Sequence, residues 1–311
     1  MLNSHILLTG AHGFVGQHLS AELINNFARV SQFVRSTPPS IRHNKDLYVL
    51  DLMDRPKVAD LISTLNPDYV IHLAGTKDRQ NDRKNFCRIY NENISISLNV
   101  IEACQSLDNL KRLVFLGSCD EYGLAQIPYD ESQPVQPTGA YGLSKLAVTQ
   151  LLASLFNSYR FPYIVLRPTV IYGPGQGDEM FLSSLIRSLL CRKCFAMTAG
   201  DQRRDFIYVD DIVNAILKAV ASDERVNGKI MNIGAGTSYK LKDIATMVAG
   251  LIGISASEYL NMGGVPYRSN EVMDYSVVTN RAYELLNWFP VNSLERGLEE
   301  TITEFKKSLG A

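Results

Sequence analysis

The chain has 311 residues, 46% of them hydrophobic, and a formal net charge of -1. That length buries a full core and leaves room for one large domain or two smaller ones, so folding needs no partner. Lys and Arg are scattered and offer no basic field, which excludes nucleic acid as an expected partner, and no stretch approaches the roughly 20 apolar residues of a membrane span.

From the start, short aliphatic runs alternate with longer amphipathic stretches, the pattern of β-α-β units around a parallel sheet. Strands are predicted at His5 to Thr9, Arg29 to Val34, Leu47 to Leu50, Tyr69 to Ala74, Arg112 to Gly117, Tyr163 to Pro168 and Ile230 to Ile233. Several of these runs are nearly all apolar, so both faces of the sheet are expected to be covered. Helical periodicity marks Val15 to Asn25, Arg55 to Leu65, Asn93 to Ser106 and Tyr141 to Ser158. After Pro174 glycine and charge become frequent and the alternation lapses, so a smaller region is expected to begin there. It is interleaved, because Asp210 to Ala221 and Ile230 to Ile233 read as one more helix and strand of the first sheet. The expected fold class is α/β: a doubly wound parallel sheet over residues 1–174 that also receives about 205–236, with a smaller interleaved C-terminal domain over 175–311.

Thr9-Gly10-Ala11-His12-Gly13-Phe14-Val15-Gly16 follows the first strand and opens the first helix, where a doubly wound sheet binds a dinucleotide. The backbone there has to turn sharply, approach a pyrophosphate and deliver helix N–H groups to it, and Gly10, Gly13 and Gly16 meet those demands. At the end of the second strand an NAD enzyme usually offers the ribose a carboxylate, but this chain has Val34-Arg35-Ser36. A guanidinium beside a hydroxyl suits a 2′-phosphate, so NADP is expected, with NAD as the alternative.

Tyr141 and Lys145 lie four residues apart, one helical turn from each other on one face. A free phenol titrates near pH ~10, and a neighbouring cation lowers that by about 1 to 3 pH units, toward the range useful for proton transfer. This is the one Tyr-x-x-x-Lys among fifteen tyrosines, and it opens the helix after the fifth strand, whose C-terminal end carries Ser118. Ligands of such sheets bind at that end.

On these residues the chain resembles the extended short-chain dehydrogenase/reductases, whose pattern is a Rossmann glycine loop with a Ser/Thr, Tyr, Lys triad. The likeness covers essentially the whole chain. It includes Asp51-Leu52 at the family's adenine contact, His72-Leu73-Ala74-Gly75 closing the fourth strand, Arg167-Pro168, and Tyr172-Gly173-Pro174-Gly175. It extends to Arg204-Asp205-Phe206-Ile207-Tyr208-Val209-Asp210-Asp211, whose Arg grips a sugar-nucleotide pyrophosphate in the family, and to Arg268 as a second such Arg. The resemblance implies cofactor contacts from Gly10, Gly13, Phe14, Val15, Gly16, Arg35, Ser36, Asp51, Leu52, Leu73, Ala74, Gly75, Tyr141, Lys145 and Pro168. It assigns Ser118 to polarising the sugar oxygen, Tyr141 to acid/base work, and Lys145 to the cofactor ribose and the Tyr pKa. Family dehydratases carry an acid and a base after their Thr. Anchored on Tyr122-Gly123, Cys119 falls at the acid and only Asp120 remains, so the segment is closer to 4-keto-6-deoxyhexose reductases. Ser118, Cys119, Val170, Arg204 and Arg268 are the implied substrate contacts, although Val170 stands where many members have an Asn and cannot make that hydrogen bond.

The triad exchanges hydride at sugar C4 either as a reductase renewing its cofactor or as an epimerase keeping it. Arg35 and Ser36 favour an NADPH-dependent reductase of a nucleoside-diphosphate-4-keto-6-deoxyhexose; an NAD-dependent 4-epimerase is the alternative and 4,6-dehydration a lesser one. An NADP-sensing regulator without turnover also stays open, but it has no use for a lowered phenol pKa. Leu98, Ile101, Leu151 and Leu155, on two helices the family pairs across a dimer, make a homodimer the expectation. Cys87, Cys104, Cys119, Cys191 and Cys194 are odd in number and irregular in spacing, and Cys191 and Cys194 form a lone C-x-x-C. They read as reduced thiols without metal. With the early apolar run broken by Gly10, His12, Gly13 and Gln17 and no basic segment before it, no secretory leader is read and a cytoplasmic location is expected.

Overall fold

The structure, a computed structural model, describes residues 4–27, 29–36, 46–76, 78, 83–268 and 271–310. The first part of the chain alternates strand and helix: β1 (His5–Thr9), α1 (Phe14–Asn26), β2 (Arg29–Val34), β3 (Leu47–Val49), α2 (Arg55–Leu65), β4 (Tyr69–His72), α3 (Arg83–Gln105), β5 (Arg112–Leu116), a 3-10 turn (Cys119–Glu121), α4 (Ala140–Tyr159) and β6 (Tyr163–Pro168). Beyond it come β7 (Val170–Tyr172), α5 (Phe181–Leu190), β8 (Phe195–Met197), β9 (Arg203–Tyr208), α6 (Val209–Ala221), β10 (Lys229–Ile233) and β11 (Ser238–Lys240). The chain closes with α7 (Leu241–Ile252), α8 (Ala256–Tyr259), β12 (Leu260–Met262), α9 (Asn280–Leu286) and α10 (Leu294–Leu309).

Among the described residues seven strands form one sheet in the order β10-β6-β5-β4-β1-β2-β3, every neighbouring pair parallel. The order reverses at β1, so a crevice opens there beyond the carboxyl ends of the strands. Side chains alternate between the two faces, and this divides the core. Ile6, Leu8, Ile71, Val114, Ile164 and Leu166 pack with α1 and α6 on one side. Leu7, Val70, Leu113, Phe115, Tyr163 and Val165 pack with α2, α3 and α4 on the other.

A second layer contains the three-stranded sheet β11-β9-β7, the pair β12-β8, and α5, α7 and α10 around their own core of Leu185, Ile186, Ile244, Val248, Leu298 and Ile302. Between β9 and β11 the chain returns to the large sheet as α6 and β10, the interleaving expected from sequence. Buried Asp205 fastens the two layers. Its carboxylate accepts the N–H groups of Ala235 and Gly236 at 2.8 and 2.9 Å and the Thr169 hydroxyl at 3.2 Å. Burial outweighs those bonds and raises its pKa to about 6.

One helix is longer than predicted. The periodic stretch Asn93 to Ser106 is the second half of α3, whose first turns are polar. There Ile89 is buried, while Arg88 pairs with Asp78 at 2.7 Å and Glu92 at 3.3 Å, so charge supports a segment that shows no apolar stripe. No helix among the described residues is long and apolar enough to cross a membrane.

Candidate active site

The glycine loop turns as the motif requires. Gly10 has φ +74°, and a Cβ there would sit 2.7 Å from the Ala74 amide nitrogen. A Cβ on Gly16 would lie 2.1 Å from the Gly10 carbonyl oxygen, so α1 packs against the turn only because that position is bare. Gly13 is the N-cap of α1 and supplies no side-chain cap, which leaves the first-turn N–H groups of Phe14, Val15 and Gly16 directed at the crevice. Such a turn could hold a pyrophosphate, and the residues fit a dinucleotide. Arg35 and Ser36 follow β2 and are both exposed. Past β3, the exposed carboxylate of Asp51 accepts the Met53 N–H at 2.9 Å, and Leu52 beside it is buried. Leu73 and Ala74 are half-buried beside the loop, and Pro168 is buried at the end of β6.

Ser118, Tyr141, Lys145 and Gly75 converge at the carboxyl edge of β4 and β5. Lys145 is buried on α4, donates to the Leu116 carbonyl at 2.8 Å, and lies 4.8 Å from the Phe115 ring centroid and 5.9 Å from that of Tyr141. A Cβ on Gly75 would come within 3.7 Å of its ammonium. Burial lowers the Lys145 pKa to about 8, against the opposing pull of Glu121. The N-terminal turn of α4 is seated closely on the 3-10 turn, for a Cβ on Gly142 would meet the Asp120 carbonyl at 2.3 Å. Ser118 is the N-cap of that turn; its oxygen accepts the Asp120 N–H at 3.1 Å, which directs the hydroxyl proton elsewhere.

Beneath these groups runs a hydrogen-bonded chain that sequence reasoning did not find. The Ala74 N–H donates to Thr9 Oγ1 at 3.3 Å, and Thr9 lies 2.7 Å from His72 Nδ1. His72 Nε2 lies 3.0 Å from Ser97 Oγ, which donates to the Asn93 carbonyl at 2.7 Å. Because the Ser97 proton is committed to Asn93, Nε2 carries the imidazole hydrogen and Nδ1 accepts from Thr9. Burial, then the Lys145 charge, depresses the His72 pKa to about 3, so the ring is neutral. The Asn93 amide continues the chain, accepting the Thr76 N–H at 2.8 Å and donating at 2.9 Å to Ser144, which donates to the Tyr141 carbonyl at 2.8 Å. Asn93 and Ser97, one turn apart on the buried face of α3, were the available signal: two polar residues in an apolar stripe.

Glu121 and Arg167 form a buried ion pair under Ser118. Glu121 Oε2 accepts a bond from Arg167 Nε at 2.9 Å and lies 2.8 Å from Arg167 Nη2 in the ion pair, and Oε1 accepts the Ser118 N–H at 3.0 Å. Cys119 faces the core, 1% exposed, its thiol directed at the Arg167 carbonyl 3.3 Å away. Burial pushes that thiol well above its ordinary range. The Asp120 carboxylate instead accepts a bond from the Tyr275 phenol. Arg204, on β9, is ion-paired with Glu271, and its guanidinium lies 5.1 Å from the Tyr275 ring centroid. One continuous cluster thus joins Arg204 to the Ser118 turn. Arg268 is exposed, and among the described residues no hydrogen bond or ion pair brings its guanidinium to that cluster. Val170 is half-buried against the core of the second layer. Of the four leucines and isoleucines expected at a dimer face, Ile101 is 1% exposed and belongs to the core under the sheet, whereas Leu98 is 41% exposed and Leu151 and Leu155 are partly buried.

A dinucleotide cradle beside a serine, a tyrosine and a buried lysine defines a nicotinamide-dependent enzyme of the short-chain dehydrogenase/reductase class. A model of the NAD dependent epimerase/dehydratase family matches residues 6–234, and the chain belongs to that family, whose enzymes act on nucleotide sugars. It is 29% identical to an uncharacterized UDP-glucose epimerase of Bacillus subtilis (strain 168), over 96% of each chain. It is 26% identical to CDP-abequose synthase of Salmonella typhimurium, covering 97% of this chain and 98% of that one. Among solved structures, UDP-glucuronic acid 4-epimerase from Bacillus cereus, in complex with UDP-glucuronic acid and NAD, superposes with a TM-score of 0.89 at 26% identity, over 98% of this chain and 99% of that one.

Proposed function

We propose that the chain reduces the 4-keto carbon of a nucleoside-diphosphate-4-keto-6-deoxyhexose with NADPH. The observation that supports the reading is the buried Lys145 ammonium beside Gly75 and 5.9 Å from the Tyr141 ring centroid, on a helix seated against the turn that Ser118 caps. Gly10, Gly13 and Gly16 would hold the pyrophosphate of a nicotinamide dinucleotide, which when bound would supply the hydride. Tyr141 gives its proton to the oxygen developing at C4, and the Lys145 ammonium one turn away stabilises the phenolate left behind. Ser118 donates its hydroxyl proton to the same oxygen, its lone pair being taken by the Asp120 N–H. Asp120 stands beside the sugar as the acidic group of the turn. Arg204 holds the substrate pyrophosphate in exchange for Glu271, and Arg268 adds a second cation from the exposed segment. Cys119, buried where a dehydratase has its acid, offers no accessible proton, which supports reduction over dehydration.

Arg35 and Ser36 support NADP, since a guanidinium and a hydroxyl, both exposed after β2, match a 2′-phosphate. A second reading, NAD-dependent 4-epimerisation, has the relatives' names and the NAD of the Bacillus cereus enzyme in its favour. The nucleotide that co-purifies separates the two: a reductase emerges empty or with NADP, an epimerase with tightly held NAD. For the reductase, calorimetry gives a lower Kd for NADPH than for NADH, and Arg35→Ala flattens the difference; an NADH preference in the unaltered protein refutes the NADP assignment. In this reading the substrate-holding part is 175–311 outside the returning 205–236, and Leu98, Leu151 and Leu155 pair two copies through α3 and α4.

A further inference from the structure

A buried stack of cations and aromatic rings runs from the Ser118 turn to β9 of the second layer. The Arg167 guanidinium lies 4.6 Å from the Tyr122 centroid, Tyr122 stacks on Tyr129 at 4.7 Å, and Tyr129 meets Tyr275 edge-on at 5.5 Å. Arg204 lies over the far side of the series, 5.1 Å from Tyr275. Glu121 neutralises one end and Glu271 the other.

Tyr275 is where this stack touches the chemistry. Its ring faces the cation expected to hold phosphate, and its phenol donates to the Asp120 carboxylate, next in sequence to Ser118. Its backbone is pinned from two sides. The Tyr275 carbonyl accepts the Asp205 N–H at 2.9 Å, and Tyr129 exchanges bonds with the following residues, Tyr129 N–H to Ser276 O at 2.8 Å and Val278 N–H to Tyr129 O at 2.9 Å. Buried Asn232 closes the frame, donating to the carbonyls of Tyr129 at 3.0 Å and Val278 at 3.2 Å. A side chain fixed this firmly transmits position. Hydrogen bonds to an ionised carboxylate are among the strong ones, and a guanidinium over a desolvated ring is held flat against it.

We propose that Tyr275 is a positioning residue that ties the grip of Arg204 on the substrate phosphates to the placement of the Asp120 carboxylate beside Ser118. The inference rests on the nucleotide-sugar reading of the site.

Two substitutions separate the phenol from the ring. Tyr275→Phe keeps the ring under Arg204 and removes the bond to Asp120; Tyr275→Leu removes both. The probes are CDP-, GDP- and dTDP-4-keto-6-deoxyhexoses with NADPH for turnover, and the free nucleoside diphosphates for binding by calorimetry. Tyr275→Phe is expected to lower kcat about 10-fold, with KM and diphosphate Kd within about 3-fold of wild type. Tyr275→Leu is expected to raise KM and diphosphate Kd about 10-fold as well. In an Asp120→Asn background, Tyr275→Phe is expected to add no further loss, since both remove one interaction. A kcat for Tyr275→Phe within about 2-fold of wild type, or the same loss with and without the Asp120 carboxylate, overturns the inference while the site reading stands. Wild-type protein that binds none of the diphosphates and oxidises NADPH with none of the ketosugars overturns that reading and the inference together.

Discussion

Glu121→Gln tests whether the buried ion pair builds the catalytic turn or merely fills space beneath it. Glu121 is 0% exposed on its side chain and Arg167 3%, so neither has water to fall back on. The carboxylate accepts from Arg167 Nε on one oxygen and from the Ser118 N–H on the other, with Arg167 Nη2 in ion-pair contact. A glutamine has the same shape but one acceptor oxygen. Whichever way its amide turns, an NH2 group faces either the guanidinium or the Ser118 N–H, and a buried positive charge is left uncompensated. Removing one partner of a buried pair costs about 3–5 kcal/mol. At roughly 2.1 cal/mol/K of unfolding entropy per residue, 311 residues give about 0.65 kcal/mol/K, so the melting temperature is expected to fall by about 5–8 °C. Scanning calorimetry measures it. Glu121→Gln combined with Arg167→Met, which removes the stranded charge, is expected to regain part of the loss. A destabilisation below about 1 kcal/mol, or a double variant as unstable as the sum of its parts, would refute the account.

Three further outcomes follow from the same geometry. Gly16→Ala places a Cβ 2.1 Å from the Gly10 carbonyl, between backbone atoms that cannot yield, so dinucleotide affinity measured by calorimetry is expected to fall at least about 10-fold; unchanged affinity would place the dinucleotide elsewhere. Tyr141→Phe is expected to lower kcat by about 100-fold or more while the fold, followed by circular dichroism, is kept; residual turnover near wild type would remove the phenol from the mechanism. Lys145 gives a pH dependence whose sign is opposite to that of a surface lysine. Its folded pKa, about 8, lies below the ordinary 10.5, so between those values the unfolded chain holds more protons and stability rises with pH. In the ligand-free protein the stability difference between wild type and Lys145→Met is therefore expected to move in favour of wild type by about 3 kcal/mol from pH 8 to 10.5, and denaturant titrations showing a flat difference would contradict the buried charge.

What was legible in the sequence was whatever the chain encodes locally. β1, β2 and β6 begin and end at the predicted residues because runs such as His5-Ile6-Leu7-Leu8 face core on both sides and admit no other reading. The glycine loop was legible because its steric demands fall on neighbouring positions, and Tyr141 with Lys145 because a helical turn is a fixed distance. The polar first turns of α3 were not, since charge pairs such as Arg88 with Glu92 leave no apolar period. Beyond β6, α6 and β10 were legible by their apolar periods, whereas β7, β8, β11 and β12 escaped, being three residues each and too short to show alternation.

The same distinction explains which parts of the site were missed. The resemblance made Arg204 a candidate phosphate contact but gave no sign of the carboxylate that answers it, because Glu271 lies 67 residues away. The Tyr275 phenol reaches Asp120 across 155 residues, and Thr9 reaches His72 across 63. Such pairs exist only once the chain has folded, and Thr9 with His72 is buried deeply enough that a lone member would be costly. Part of the network has a common origin: the doubly wound sheet brings the carboxyl ends of β1, β4, β5 and β6 to one edge, where Thr9 meets His72 and Glu121 meets Arg167. The motif residues lie at the sheet edge, whereas His72, Asn93, Glu121, Arg167 and Tyr275, which hold that edge together, are engaged with other protein groups.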